Sequence, residues 1–165
     1  MVVQASPAVR RRLVAIQRRL LAERLAAELD QQVVAELLGV SSRSVQSWEC
    51  CYDHPSTPHL IGWAYGVGFR LVLIELEVGT VLAPVSLGPG ESLAEHEVRR
   101  LTAPLKPRRQ ERDISQTDLG RIVGVGRSSL QRWEDGFQVP VALFLIAWAD
   151  RLGYTVGLMP VAARG

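Results

Sequence analysis

Two cysteines and two histidines lie close together in the sequence, and these residue types bind zinc or carry redox chemistry in many proteins. They are Cys50, Cys51, His54 and His59. Structural zinc sites usually separate paired cysteines by two to four residues, and adjacent thiolates do not easily take two corners of one tetrahedron. We therefore expect no metal and no cofactor, and we favour packing and solvent exposure over zinc ligation or a redox-sensing thiol.

No motif of a known catalytic type occurs in the sequence. A phosphate-binding glycine loop is absent, and so is the Gly-x-Ser-x-Gly pattern of many hydrolases. The histidines His54, His59 and His96 have no acidic or nucleophilic partner at a meaningful spacing. We expect no catalytic residues and a role in binding, not an enzyme.

The composition is that of an ordinary globular protein, with 47% hydrophobic and 22% charged side chains in 165 residues. The net charge is only +2, but six arginines lie within residues 8–24 and six basic side chains within residues 98–112. The longest uncharged apolar run, Val139 to Ala149, is far below the roughly 20 residues of a membrane span. No signal-peptide pattern follows the N-terminal arginines, so we expect a cytoplasmic protein without a membrane partner.

The two halves of the sequence resemble each other when they are aligned without gaps at an offset of 85 residues. Sixteen of 54 aligned positions, residues 20–73 against 105–158, are identical. Trp48 falls on Trp133 and Trp63 on Trp148, for example. The sequence therefore predicts an internal repeat, with a first unit at residues 1–78, a connector at 79–90 and a second unit at 91–165.

Each unit is predicted to contain helices followed by one strand, which makes the fold class mainly α. Ser6 and Pro7 begin a long helix that is expected to end near Leu29, and Ser92 with Glu95 has the spacing of a capping box. Pro104 and Pro107 should break the corresponding helix of the second unit. Asp30 and Ser115 are expected to cap a short helix that closes at Gly39 or Gly124, after which a tight turn leads to another helix. A further helix is expected over roughly residues 58–66 and 141–152.

Residues 69–77 alternate in the manner of a strand, and residues 154–159 are its shorter counterpart. A lone apolar strand would leave an exposed edge. We therefore expect the two strands to pair in a small antiparallel sheet that relates the units by a pseudo-two-fold axis, with residues 80–87 as a candidate third strand.

The second unit closely resembles the lambda-repressor-like, Xre-family helix-turn-helix, and the first unit resembles it less closely. The residues that carry the resemblance are Ile114, Ser115, Gln116, Leu119, Gly120, Ile122, Val123, Gly124, Val125, Ser129, Leu130, Arg132, Trp133, Glu134 and Gly136. Gly124 stands where the turn needs a left-handed residue, and Gly120 offers a small surface between the two helices. The first unit departs from the pattern after Glu49, where Cys50, Cys51 and Tyr52 replace a polar turn.

The resemblance implies DNA-binding residues at the start of the motif and on its second helix, the recognition helix. It places Gln31 and Gln116 against a phosphate and the recognition helix. The positions that would face the major groove are Arg127, Ser128, Gln131 and Arg132 in the second unit and Ser42, Arg43, Gln46 and Ser47 in the first. Because arginine can bond guanine through two donors, the second unit is expected to be the stronger base reader. We also expect the arginine-rich helices, Arg100 and Arg108 among them, to contact phosphates.

Two further sets of residues are expected to stabilise the fold and not to bind DNA. The resemblance implies partly buried ion pairs between Arg24 and Glu49 and between Arg109 and Glu134. The paired tryptophans are expected to face inward.

These features favour a sequence-specific, DNA-binding transcription regulator that acts as a covalent pseudo-dimer on double-stranded DNA, as a monomer or homodimer. A repressor, of the phage or mobile-element type, is the role that the resemblance favours. Two alternatives remain open. One is a protein-interaction module, such as an antitoxin or anti-activator, whose first unit holds a protein partner; the other is a non-specific architectural DNA binder.

Overall fold

The computed structural model describes residues 6–79 and 89–161, and helices predominate there, as predicted. The first half, residues 6–79, contains α1 (Pro7–Ala26), α2 (Gln31–Leu38), α3 (Ser42–Glu49), α4 (Thr57–Gly66) and β1 (Phe69–Glu75). The second half, residues 89–161, contains α5 (Leu93–Thr102), α6 (Leu105–Glu111), α7 (Gln116–Val123), α8 (Arg127–Glu134), α9 (Ala142–Arg151) and β2 (Tyr154–Pro160). The candidate third strand lies outside the described residues. None of the helices found in these two ranges is long and apolar enough to cross a membrane.

The helix starts follow the capping residues of the sequence. The Ser6 hydroxyl accepts from the Val9 amide with Pro7 in the first turn, and Ser92 and Glu95 form the predicted capping box. The prolines divide the N-terminal helix of the second half into α5 and α6. Asp30 stands at the N-cap of α2, but its side chain makes no capping hydrogen bond, so that part of the prediction is wrong.

The first helix ends three residues earlier than predicted, at Ala26 instead of Leu29. Glu28 adopts a φ of 56° and its counterpart Asp113 a φ of 52°. This left-handed conformation is incompatible with a continuing right-handed helix, so the chain turns here in both halves. The turn brings the Leu29 and Ile114 carbonyls within reach of the arginines described below.

A left-handed glycine closes the first helix of each helix-turn-helix, as predicted. Gly39 has a φ of 66° and Gly124 a φ of 99°. Gly120 lies against the turn itself, since a Cβ on it would meet the Val125 carbonyl oxygen at 2.8 Å. A larger side chain at position 120 would therefore not fit between α7 and the turn of the second half.

The strands pair antiparallel, which confirms the prediction, and their register is symmetric. Phe69 lies opposite Pro160, Glu75 opposite Tyr154, and Val72 opposite Gly157 at the centre. Val72 and Gly157 are also counterparts at the offset of 85, so rotation about the centre of the ribbon exchanges each pair with its counterpart pair. One face of this ribbon joins the hydrophobic core through Leu71, Leu73, Tyr154 and Val156.

Helices of each half pack against the other half. Helix α1 contacts α9, and α5 contacts α4. Arg12 on α1 bonds Asp150 on α9 at 2.6 Å, and at the counterpart positions Tyr65 on α4 donates to Glu97 on α5 at 2.5 Å. The core accordingly draws buried residues from both halves.

Glu97 is the most deeply buried of these contact residues, with only 1% of its surface exposed. Arg70 and Arg100 pair with its two carboxylate oxygens, and Arg100 also donates to the Leu71 carbonyl. Burial alone would raise the pKa of Glu97. The hydrogen bonds from Tyr65 and Arg100, with the charges of Arg100 and Arg70, outweigh it and lower the pKa below its ordinary value of 4.5.

This lowered pKa predicts an acid-dependent contribution to stability. The unfolded chain binds a proton at Glu97 more readily than the folded chain, so the contribution is present above about pH 4.5 and is lost as the pH falls through the folded pKa. In Glu97→Gln the free energy of unfolding should fall by about 3 kcal/mol at pH 7, because two arginines are left unpaired.

Urea denaturation of both proteins between about pH 3 and pH 7 measures the effect. The difference between wild type and Glu97→Gln should shrink on acidification, whereas the exposed Glu77→Gln control should follow wild type. A difference that is constant across this range would contradict the assignment.

Candidate nucleic-acid interface

An ion pair fixes the recognition helix α8 to α6. Arg109 donates to the two carboxylate oxygens of Glu134 at 2.7 and 3.1 Å, and to the Ile114 carbonyl at 2.9 Å. Gln116, at the start of α7, donates to the same carboxylate at 2.8 Å. Because the Glu134 side chain is fully buried, this cluster fixes the orientation of α8 relative to α6 and α7.

The first half contains the same cluster at counterpart positions. Arg24 donates to Glu49 at 2.5 and 3.0 Å and to the Leu29 carbonyl at 2.6 Å, and Gln31 donates to Glu49 at 2.7 Å. The hydrogen bond that Arg24 donates to Glu49 is the largest cause that raises the pKa of Arg24, against the effect of burial. Helix α3 is thus held in the same way as α8.

The glutamines therefore brace the recognition helices, as the resemblance implied. Gln31 and Gln116 are both half-buried. A phosphate contact by either side chain stays a prediction, and it would have to use the amide hydrogen that the carboxylate does not accept.

The outward surface of α8 carries the four predicted residues. Leu130 and Trp133 point into the core. Arg127, Ser128, Gln131 and Arg132 are all exposed. Since Arg127 and Arg132 have no partner that would restrain their guanidinium groups among the described residues, both can donate to groups outside the chain.

The corresponding surface of α3 is less basic and less exposed. Val45 and Trp48 fill the core, Arg43 and Gln46 are exposed, and Ser42 and Ser47 are half-buried. Helix α3 therefore offers one cationic side chain at its surface where α8 offers two. The two halves hold their recognition helices alike but present different chemistry on them.

Two exposed aromatic residues at this surface were missed by the sequence reasoning. Tyr52 is 88% exposed and Phe137 is 84% exposed, and they are counterparts in the turns that follow α3 and α8. Tyr52 lines a shallow cleft together with Arg43, Gln46 and Ser47. The signal that could have found them is the aromatic type at both copies, four residues after the buried tryptophan.

The expectation that Arg100 and Arg108 contact phosphates is wrong. Arg100 is buried by Glu97 and the Leu71 carbonyl. Arg108 bonds Glu75 at 2.8 Å and the Leu152 carbonyl, and its guanidinium lies 4.5 Å from the centre of the Tyr154 ring. These contacts hold α5 and α6 to the β-ribbon, so the basic stretch at residues 98–112 is largely structural.

The cysteines and histidines do not converge. Cys50 is exposed and Cys51 is half-buried with a φ of 59°. His54 bonds the Gln17 side chain at 2.6 Å, and burial is the largest cause that lowers its pKa. The His59 ring lies 5.6 Å from Trp48. Within residues 6–79 and 89–161, no three His, Cys, Asp or Glu side chains are grouped as a metal site would need.

The tryptophans face inward, which confirms their assignment to the core. Trp63 and Trp148 are fully buried, and Trp48 and Trp133 are 5% exposed. Trp48 lies 6.1 Å from Trp63, and Trp133 lies 5.9 Å from Trp148, with similar tilts between the rings. Each recognition helix is thereby packed on α4 or α9 through an aromatic pair.

A family model described as Helix-turn-helix matches residues 105–158. No match is found among curated proteins or among solved structures. The matched segment begins with α6, contains α7, α8 and α9, and ends in β2. These residues form a helix-turn-helix domain, the type of domain through which transcription regulators bind DNA. The family model does not extend to residues 20–73, which are the aligned segment of the first half.

The Arg109 cluster predicts a structural role for Glu134. Glu134→Ala leaves a buried arginine unpaired, so the free energy of unfolding should fall by roughly 3 to 5 kcal/mol. DNA binding should weaken only to the extent that the second half unfolds. Chemical denaturation and a DNA titration on the same preparation measure both effects.

Glu111→Ala is the matched control, because Glu111 pairs with Arg108 from an exposed position. Its stability should stay within about 0.5 kcal/mol of wild type. An unchanged denaturation midpoint for Glu134→Ala together with lost DNA binding would instead make Glu134 part of the binding surface.

Proposed function

We propose that this protein is a sequence-specific transcription regulator that binds double-stranded DNA with both α3 and α8, as a covalent pseudo-dimer. The symmetric register of the β-ribbon carries the proposal. Rotation about the Val72 and Gly157 pair exchanges β1 with β2, and the contact of α1 with α9 has its counterpart in the contact of α5 with α4. Such an arrangement is what two inverted half-sites on DNA require.

The matched contacts of the two halves support a rigid arrangement. The Arg24 and Arg109 clusters orient the recognition helices alike. The contacts of α1 with α9 and of α5 with α4 tie each half to the other. Because a linked pair of DNA-binding units loses less freedom on binding than two separate chains do, one chain can occupy both half-sites.

The two half-sites should differ in sequence. Arg127 and Arg132 can each donate to O6 and N7 of a guanine, whereas α3 has Arg43 as its one exposed arginine. Gln46 and Gln131 occupy counterpart positions on the two helices, and a glutamine suits an adenine. The operator is therefore an imperfect inverted repeat with its more strongly bound half under α8.

Repression follows from occupancy. A chain that covers two half-sites of an operator excludes polymerase from the same stretch of DNA, and the described residues of the chain need supply no chemistry for this effect. We accordingly favour a repressor over an activator.

A second candidate function rests on the surface of the first half. Leu25, Leu37 and Tyr52 are exposed there, and α3 offers fewer cations than α8. This combination suits contact with another protein. In this case only α8 would bind DNA, and the first half would hold the partner.

Footprinting, combined with a mass measurement of the complex, tests the pseudo-dimer. One chain should protect two imperfectly inverted half-sites whose centres lie about 10 base pairs, or a multiple of that, apart. One chain on a site of only about 4 to 6 base pairs would favour the protein-interaction candidate. Two chains on a perfect palindrome would also contradict the proposal.

Substitution of the arginines tests the roles of the two helices. Arg127→Ala should cost about 1 to 3 kcal/mol of binding to the operator and relax base preference at one position, with little loss on random DNA. Arg43→Ala should act in the same way on the other half-site. The exposed arginine in the last turn of α9, changed in Arg151→Ala, is the control.

Competition between the operator and random DNA at two salt concentrations completes this test. A specific regulator should prefer its operator by roughly 1,000-fold or more. Equal losses on both DNAs in Arg127→Ala would reassign this residue to phosphate contact, and no preference in the wild type would identify an architectural binder.

A further inference from the structure

A groove of about 810 Å³ lies between α5 and the turn that follows α8. Ala94, Val98 and Thr102 form one wall on α5, and Trp133 and Val139 contribute to the opposite side. This volume is within the range of pockets that hold small molecules. The groove adjoins the last turn of the recognition helix but not its outward surface, so it is separate from the DNA-binding site proposed above.

The first half differs at the corresponding place, where larger side chains are packed. The counterparts of Ala94, Val98 and Thr102 are Val9, Leu13 and Gln17, all of them buried. Gln17 donates to the Trp48 and Asp53 carbonyls at 2.9 and 3.0 Å and thus closes α1 onto the turn after α3.

The second half lacks these contacts. The Thr102 hydroxyl donates instead to the Val98 carbonyl of its own helix at 3.0 Å. The break between α5 and α6 lies between Val98 and Arg109. In the first half, α1 runs without interruption between their counterparts, Leu13 and Arg24. The groove is therefore a local difference between two otherwise matching halves.

The lining combines apolar walls with a surplus of negative charge. Three carboxylates that are not fully buried, those of Glu91, Glu95 and Asp135, line the groove with two cations, whereas the Glu134 side chain beside them is fully buried. Arg99 pairs with Glu91, Lys106 with Asp135, and Glu134 is neutralised by Arg109 outside the groove. Glu95 pairs with no cation among the described residues, since its carboxylate accepts only from the Ser92 amide. A molecule bound in the groove would therefore lie near the negative charge of Glu95.

We propose that this groove binds an organic cation with an apolar body. The apolar walls supply the burial that an organic molecule needs, and the Glu95 carboxylate, which no cation pairs with among the described residues, selects a positive charge over a negative one. The proposal rests on the groove alone and does not depend on DNA binding by either half.

Calorimetric titration of the full chain without DNA tests the proposal with two probes of nearly equal shape and opposite charge. Tetraphenylphosphonium should bind with one site per chain, and tetraphenylborate should bind at least about tenfold more weakly. Glu95→Gln should weaken tetraphenylphosphonium binding about three- to fivefold, and Glu36→Gln on α2, outside the groove, should leave it unchanged.

Refilling the groove with residues of the first half locates the site. The double variant Val98→Leu, Thr102→Gln should lose tetraphenylphosphonium binding by about tenfold or more, with an unchanged or higher melting temperature. If that variant does not fold, Ala94→Val is the smaller change in the same wall. Equal affinity for the two probes, undiminished binding to a folded refilled variant, or no binding of the cation would each overturn the proposal.

Discussion

The antiparallel pairing of β1 with β2 is the constraint on which the rest of the structure depends. A two-stranded ribbon is marginal by itself, and each strand alone would expose an apolar edge, so the pair must form and must be covered by helices. Because the register centres on Val72 and Gly157, a two-fold rotation exchanges the two strands. In the proposed pseudo-dimer, this rotation sets the directions in which α3 and α8 face.

Contacts between helices of different halves reinforce this pairing. The N-terminal part of α1 packs on α9 and that of α5 on α4, so neither half completes its core without the other. The counterpart contacts use different chemistry: Arg12 meets Asp150 near the surface, whereas Glu97 is buried among Tyr65 and two arginines. The buried cluster is the costlier of the two to break, because removing one member leaves a charge without water or a partner.

The sequence predicted the helices, the strands and their pairing. It did not predict that α1 packs on α9 and α5 on α4. Capping residues and prolines act locally, so Ser6, Ser92 and Pro104 predicted where α1, α5 and α6 begin. A repeat shows which residues of the two halves correspond, but it does not show which half each residue contacts. Since α4 and α9 are counterparts, the sequence alone leaves open on which of them α1 packs. The contacts that hold Arg100 and Arg108 could not be predicted for the same reason, since the Leu71 carbonyl and the Glu75 carboxylate that accept from them lie on the ribbon.

The two halves differ most at positions whose side chains do not pack in the core. Trp63 and Trp148 occupy fully buried counterpart positions, and a packed interior tolerates little change of volume there. The outward faces of α3 and α8 carry no such restriction, and they differ in charge. Helix α5 is the exception: Glu97 lies in a buried cluster where the first half has Arg12 near the surface, and Val98 and Thr102 stand where the first half has larger buried side chains. These smaller side chains leave a groove beside a recognition helix, and because the groove is open, either water or a ligand can fill it.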